Sequence, residues 1–195
     1  MTDVLLLNAD YTPLRVLCWE KAISLLLDEK VGMVVEYADR FVRSPTTTLP
    51  WPAVVALRKY AHFRNPISFN RMHVIARDGA SCQYCGAKPR SKTGRLKLEE
   101  LTLDHVVPRA QSVKGKVTLP WTGKKVPVTC WENIVTACLD CNRLKADRTP
   151  AEAGMTLKVL PARPSSREAI RVSFLRAKIP DEWRLFIPEG DLINA

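Results

Sequence analysis

Two Cys-x-x-Cys motifs, Cys82/Cys85 and Cys138/Cys141, lie 52 residues apart and constrain this chain more than any other feature. Each motif places two thiolates on one tight turn, and two such turns complete a tetrahedral four-sulfur site. Zinc favours soft ligands of this kind at ~2.3 Å, and four sulfurs leave no coordination position open for catalysis. The four cysteines are therefore expected to hold a structural Zn²⁺, with redox-active thiol pairs as the competing assignment. Cys18 and Cys130 stand alone. Cys18, between Leu17 and Trp19, reads as a small buried hydrophobe. Cys130 reads the same way, although its closeness to the second motif leaves that open.

An ordinary zinc ribbon does not need 52 residues between its ligand pairs, so the insert has content of its own. It carries Leu-Thr-Leu-Asp104-His105-Val-Val-Pro108 and then Trp131-Glu132-Asn133-Ile134-Val135. Cys138-Leu-Asp-Cys141-Asn142-Arg-Leu-Lys145 follows directly. Residues 101–107 alternate as a strand would, and Pro108 ends it. Residues 142–147 suit a short helix. In a regular strand, however, Asp104 and His105 point to opposite faces, so both can serve one site only where the backbone departs from strand geometry.

Charge supplies a second constraint. The chain carries +10 overall, and residues 86–125 contain ten Lys and Arg against three acids. A field of that size attracts polyanions, of which phosphate backbones are the commonest, unless the charges only keep a loop solvated. Residues 86–98 read as a basic loop, and 115–128, with two prolines and two glycines, as a mobile excursion.

The three segments closely resemble the HNH endonucleases, in particular the zinc-stapled bacterial type with asparagine at the last motif position. Asp-His-Val-Val-Pro matches the first element, Trp-Glu-Asn the second, and Cys-x-x-Cys-Asn-x-x-Lys the third. The resemblance covers about residues 82–150. It implies a ββα-metal core around one catalytic divalent ion, Mg²⁺ or Mn²⁺, beside the structural zinc. It further implies that His105 is the general base, Asp104 and Asn142 the catalytic metal ligands, and Asn133 the residue that holds His105 by a hydrogen bond. The implied substrate is DNA, with RNA left open. Lys145, Arg109 and Arg148 are candidate phosphate contacts, each with a solvated surface role as the alternative. Asn142 could equally cap the helix after Cys141. The 28 positions from His105 to Asn133 exceed the usual spacing, and the extra residues include Lys114, Lys116, Trp121, Lys124 and Lys125. They could grip a DNA backbone or stack a base. They could also be a tolerated insertion.

The fold class expected is therefore α+β, an HNH core with a four-cysteine zinc site preceded by a small α+β region. Residues 1–70 form that region, 71–155 the nuclease domain, and 156–195 a helical extension packing on the body. The stretch Asn8-Ala-Asp-Tyr-Thr-Pro-Leu14 also looks like the region found ahead of this domain in many bacterial members. Within it, 4–7 suits a buried strand, and Trp19, Ile23, Leu26 and Leu27 mark one face of a helix over 19–29. Residues 33–37 and 41–43 read as strands around a polar turn, and 44–52 as a proline-bearing loop. Trp19, Tyr37, Trp51 and Tyr60 read as core aromatics, and His62 and His73 as structural or surface histidines. Two capping-box patterns, Thr149-Pro150-Ala151-Glu152 and Ser165-Ser166-Arg167-Glu168, announce helices. The amino terminus lacks a basic start followed by a long apolar run, and no apolar run approaches ~20 residues, so a cytoplasmic protein is expected. The competing function is a non-catalytic zinc module that binds nucleic acid through its basic face.

Overall fold

A computed structural model of the chain describes residues 3–62, 67–165, 170–175 and 179–188. It divides into two compact units, Met1–Asn65 with Ala177–Ala195, and Pro66–Arg176. The expected extension 156–195 is thus split between the two at residue 176. No helix among the described residues is long and apolar enough to cross a membrane.

The first unit is a four-stranded sheet with one helix. Strands β1 (Asp3–Leu7) and β2 (Pro13–Cys18) pair antiparallel, helix α1 (Trp19–Leu27) follows, and β3 (Val31–Arg43) pairs antiparallel with β4 (Thr48–Leu57). The order is β2-β1-β4-β3, with β1 and β4 parallel. Central β1 is covered on both faces, which is why Val4 to Leu7 is an unbroken apolar run whose members are at most 2% exposed. The buried face of α1 is Trp19, Ala22, Leu25 and Leu26, while Leu27 is 66% exposed; the helix is rotated from the face expected. Glu29, at φ 54°, closes it with Glu29 N donating to Leu26 O and Lys30 N to Leu25 O.

Four expectations for this unit need correction. The two strands around a polar turn are one strand, β3, whose register breaks between Glu36 and Phe41. The proline-bearing loop is largely β4. Pro50 and Pro52 sit where β4 has β3 on one side only, since β1 joins from Val54, and an edge position tolerates a missing N–H. Cys18 is exposed at the end of the edge strand β2, and Tyr60 is exposed too. Trp19 and Trp51 do pack together, their rings tilted at 41° with centroids 4.8 Å apart. In the tail, buried Trp183 donates to Ala53 O at 2.8 Å, whereas Leu185 faces solvent.

The second unit begins with α2 (Arg71–Arg77), an element the sequence did not announce. Asn70 caps it by accepting from His73 N, and Gly79, at φ 64°, ends it. Strands β5 (Leu101–His105), β6 (Lys116–Thr118), β7 (Lys125–Pro127) and β8 (Ile134–Cys138) follow, then α3 (Leu139–Lys145) and α4 (Arg171–Phe174). β5 and β8 pair antiparallel from Leu101↔Cys138 to His105↔Ile134, and α3 leaves β8 directly, giving the ββα core. The excursion between them is not shapeless: β6 and β7 form an antiparallel ribbon rooted by buried Val117 and Leu119. The Thr149/Glu152 capping box forms, Thr149 N donating to Glu152 Oε2 at 2.6 Å and Glu152 N to Thr149 Oγ1 at 3.3 Å. It closes only one turn, because Gly154 in the left-handed region ends it, with Met155 N donating to Pro150 O. Apart from Ser165, the second box lies outside the described residues.

Candidate active site

Pairing β5 with β8 sets the second cysteine motif at the β8–α3 junction, and Gln83 N donates to Thr136 O of β8, which draws the first motif alongside. The four Sγ atoms lie within 4.8 Å of one another, with Cys85 and Cys138 3.8 Å apart. Sulfurs arranged tetrahedrally at ~2.3 Å from one zinc would stand ~3.8 Å apart, so the cluster fits that ion. Burial pushes the Cys82 thiol up, but backbone hydrogen bonds at Cys138, Cys85 and Tyr84 outweigh it and bring it down to about 7. Cys141 is driven upward by burial, by hydrogen bonds shared with Cys138 and Cys85, and by the charge of Cys82. Four thiols this close cannot all ionise alone, and a divalent cation is what lets them. Among the described residues no other group of three or more His, Cys, Asp or Glu side chains could hold a metal.

Asp104 and His105 diverge, as strand neighbours should. The Asp104 carboxylate points inward. It accepts from Tyr84 Oη at 2.5 Å and from Lys145 Nζ at 3.2 Å. Burial and the facing carboxylate hold the Tyr84 phenol well above its usual range, so Tyr84 stays a donor. The His105 imidazole turns the other way, toward Thr129 Oγ1 at 3.0 Å and Arg109 Nε at 3.2 Å. Burial, then the Arg109 guanidinium, lowers the pKa of His105. Lys145 contacts both residues, since its ammonium also donates to His105 O at 2.8 Å.

Several expected site residues take other roles. Lys145 is not on a solvated helix face: its side chain is fully buried and salt-bridged to Asp104 at 3.1 Å, so it cannot meet a phosphate. Asn133 makes no hydrogen bond to His105. It is fully buried, accepts from Val107 N at 2.8 Å, and donates to Val107 O at 3.0 Å and Val128 O at 2.8 Å. Asn133 therefore clamps the two ends of the excursion beside His105, holding backbone rather than imidazole. Arg148 is exposed but spends donors on the end of α3, at Leu144 O (2.6 Å) and Lys145 O (3.4 Å). Asn142 is half-buried on α3, its carboxamide without a hydrogen-bond partner among the described residues, and it does not cap the helix. That task falls to Cys138, whose Sγ accepts from Cys141 N.

Sequence inspection missed Tyr84, Thr129 and the pair Arg77–Asp78. Arg77 grips Asp78 at 2.7 Å and donates to Trp131 O and Ile134 O, while Asp78 accepts from Thr136 N, so the pair fixes β8. Tyr84 alone carried a signal, from its place inside the first cysteine motif.

Four cysteines placed to hold one metal ion such as zinc, beside a ββα unit with a histidine at the end of its first strand, define a ββα module stapled by a candidate metal site. Residues 82–148 match the HNH endonuclease family, and residues 4–65 match the HNH endonuclease-associated N-terminal domain. The chain belongs to the HNH endonuclease family, whose domains act on nucleic acids. No curated protein and no solved structure matches it.

Proposed function

We propose that this protein is a metal-dependent endonuclease that hydrolyses phosphodiester bonds in DNA, with His105 activating the attacking water. The carrying observation is the state of His105. Arg109 can only donate, so His105 Nε2 holds the lone pair and the ring proton sits on Nδ1. A half-buried imidazole of lowered pKa is neutral near pH 7 and can take a proton there. Water replaces Arg109 at Nε2 and attacks phosphorus as its proton passes to that nitrogen, and the bond to the 3′ oxygen breaks. Asn133 and Thr129 position the strand end and the ring. Asn142, with its free carboxamide oxygen, would hold Mg²⁺ or Mn²⁺, cations that take hard oxygen donors and keep waters, whereas Asp104, turned inward onto Tyr84 and Lys145 and away from His105, does not fit that role in this arrangement. When bound, that ion supplies stabilisation of the charge developing on phosphate and leaving oxygen.

Plasmid incubated with Mg²⁺ or Mn²⁺ and wild-type protein should be nicked or linearised, and His105→Ala should lower that rate by at least ~10²-fold. Tight plasmid binding without cleavage by either protein, in both metals, would replace this reading with a zinc-dependent nucleic-acid-binding module.

A further inference from the structure

The β6–β7 ribbon is the part of the HNH unit that the catalytic reading leaves unused. Its two faces differ sharply. Val117 and Leu119 are buried, and Trp121 packs against the cluster of Cys82, Tyr84 and Val106, which roots the ribbon on the domain. Trp121 is thereby committed to the core and is not free to stack a base. On the opposite face Lys116, Thr118 and Lys125 are exposed, as alternation along an antiparallel pair requires. Lys114 and Lys124 stand exposed at the two turns, Lys114 at φ 50° beside Gly115 at φ 72°.

Among the described residues no carboxylate neutralises this face. From His105 to Trp131 the chain has five cations, Arg109, Lys114, Lys116, Lys124 and Lys125, and no acid. None of the four lysine ammoniums pairs with a carboxylate among the described residues. Such crowding of like charge costs stability unless an anionic partner relieves it. The strip is also tied to the chemistry. Asn133 pins Val107 and Val128 at its two feet, and Thr129, one residue beyond, touches His105 Nε2.

We propose that the outer face of the β6–β7 ribbon is a preformed cradle for the DNA phosphate backbone beside the scissile bond, with Lys116, Lys124 and Lys125 as its phosphate contacts. Its hold is electrostatic and sequence-independent, because lysines meet phosphates as point charges and no side chain here is placed to read base edges. The inference rests on the nuclease reading for its substrate and extends it by naming the surface that aligns that substrate with His105.

The test is binding of the full-length protein to a fluorescein-labelled duplex of about 30 base pairs, by anisotropy across a salt series without divalent cations. The triple variant K116A/K124A/K125A is compared with K21A/R58A/K59A, which removes the same charge from exposed positions of the N-terminal unit. Each phosphate contact contributes about 0.9 to the slope of log affinity against log salt, so the ribbon variant should lose about 2–3 from that slope. Its affinity near 0.1 M salt should fall roughly 10- to 100-fold, with the control variant within about threefold of wild type. An unchanged slope, or equal losses in both variants, overturns the proposal. Unchanged zinc content and melting temperature exclude misfolding, since all three lysines are exposed. Plasmid cleavage is scored separately. Ribbon-dependent binding without cleavage by wild type sinks the nuclease reading alone, and cleavage with ribbon-independent binding sinks the ribbon alone.

Discussion

The two units differ in what they bury beside their apolar side chains. The N-terminal sheet closes on apolar side chains: Val4, Leu6, Leu17, Ala22, Val31 and Val55 form one cluster around the central strand β1. The HNH unit has apolar clusters of its own, around Val106 and Val135 and around Val74 and Ile134, and adds buried polarity to them. Of the six buried polar or charged residues among the described residues, Gln83, Asp104, Asn133, Thr136 and Lys145 lie there, and Asn8 lies in the sheet unit. Its strands are five residues or fewer, and cysteines, an Arg–Asp clip and an Asn clamp tie them together beside the apolar clusters. Buried polar groups are costly unless fully paired, so their concentration in one unit marks where geometry matters more than cohesion.

The largest effect that separates the two units is loss of the metal. Cys82→Ser should destabilise residues 66–176 by several kcal/mol and lower bound zinc below one per chain, because the ion supplies folding free energy that a three-sulfur site cannot keep. Hydrogen exchange should show lost protection in peptides of β5 and β8 but not of β1 and β4. Equal loss in both sets would break the comparison. Asn142→Ala is the counterpart: with no hydrogen bond to lose, it should leave melting unchanged within about 0.5 kcal/mol while abolishing cleavage. A large stability loss there would make Asn142 a structural residue.

The next effect is smaller and concerns the ion pair. Removing one partner of a buried pair costs about 3–5 kcal/mol because the other charge is stranded, so Lys145→Met should lower urea stability by about that much. Lys145→Met combined with Asp104→Asn should recover part of it. A cost under about 1 kcal/mol for the single change would mean the ammonium is solvated rather than buried. The same substitution at Lys116, on the ribbon, should be neutral within about 0.5 kcal/mol.

How much of this was legible in the sequence follows the same division. The apolar run of β1, the α1 helix and the cysteine spacing were readable, because period and ligand spacing are local signals. Locality also explains the errors. The helix face was misjudged because Ala22, small and unremarkable, is the residue that sits deepest. The roles of Lys145 and Asn133 were not legible because each is fixed by partners about 40 and 26 positions away. A lysine four residues past a cysteine motif looks solvated until β5 is laid against the helix that carries it. Likewise, glycines and prolines suggested a mobile excursion, yet two buried apolar residues, Val117 and Leu119, suffice to root a ribbon.

The smallest effect sharpens the comparison from the backbone. Helix α3 stops at Ala146 with φ 53° and ψ −131°, a combination that glycine adopts freely and a Cβ resists. The sheet unit ends its own helix at Glu29 with a similar φ of 54°, within a Schellman closure that satisfies the last carbonyls. At Ala146 the strain directly follows Lys145, whose buried ammonium holds both Asp104 and His105 O, so the helix must end there with the chain turned sharply away. Ala146→Gly should therefore stabilise the HNH unit by about 1 kcal/mol, read as a rise in its melting temperature. The Lys145–Asp104 contact should persist, because the backbone conformation it requires becomes easier to adopt. Destabilisation by Ala146→Gly would mean that the methyl group packs usefully and that the end of α3 is not where this unit stores strain.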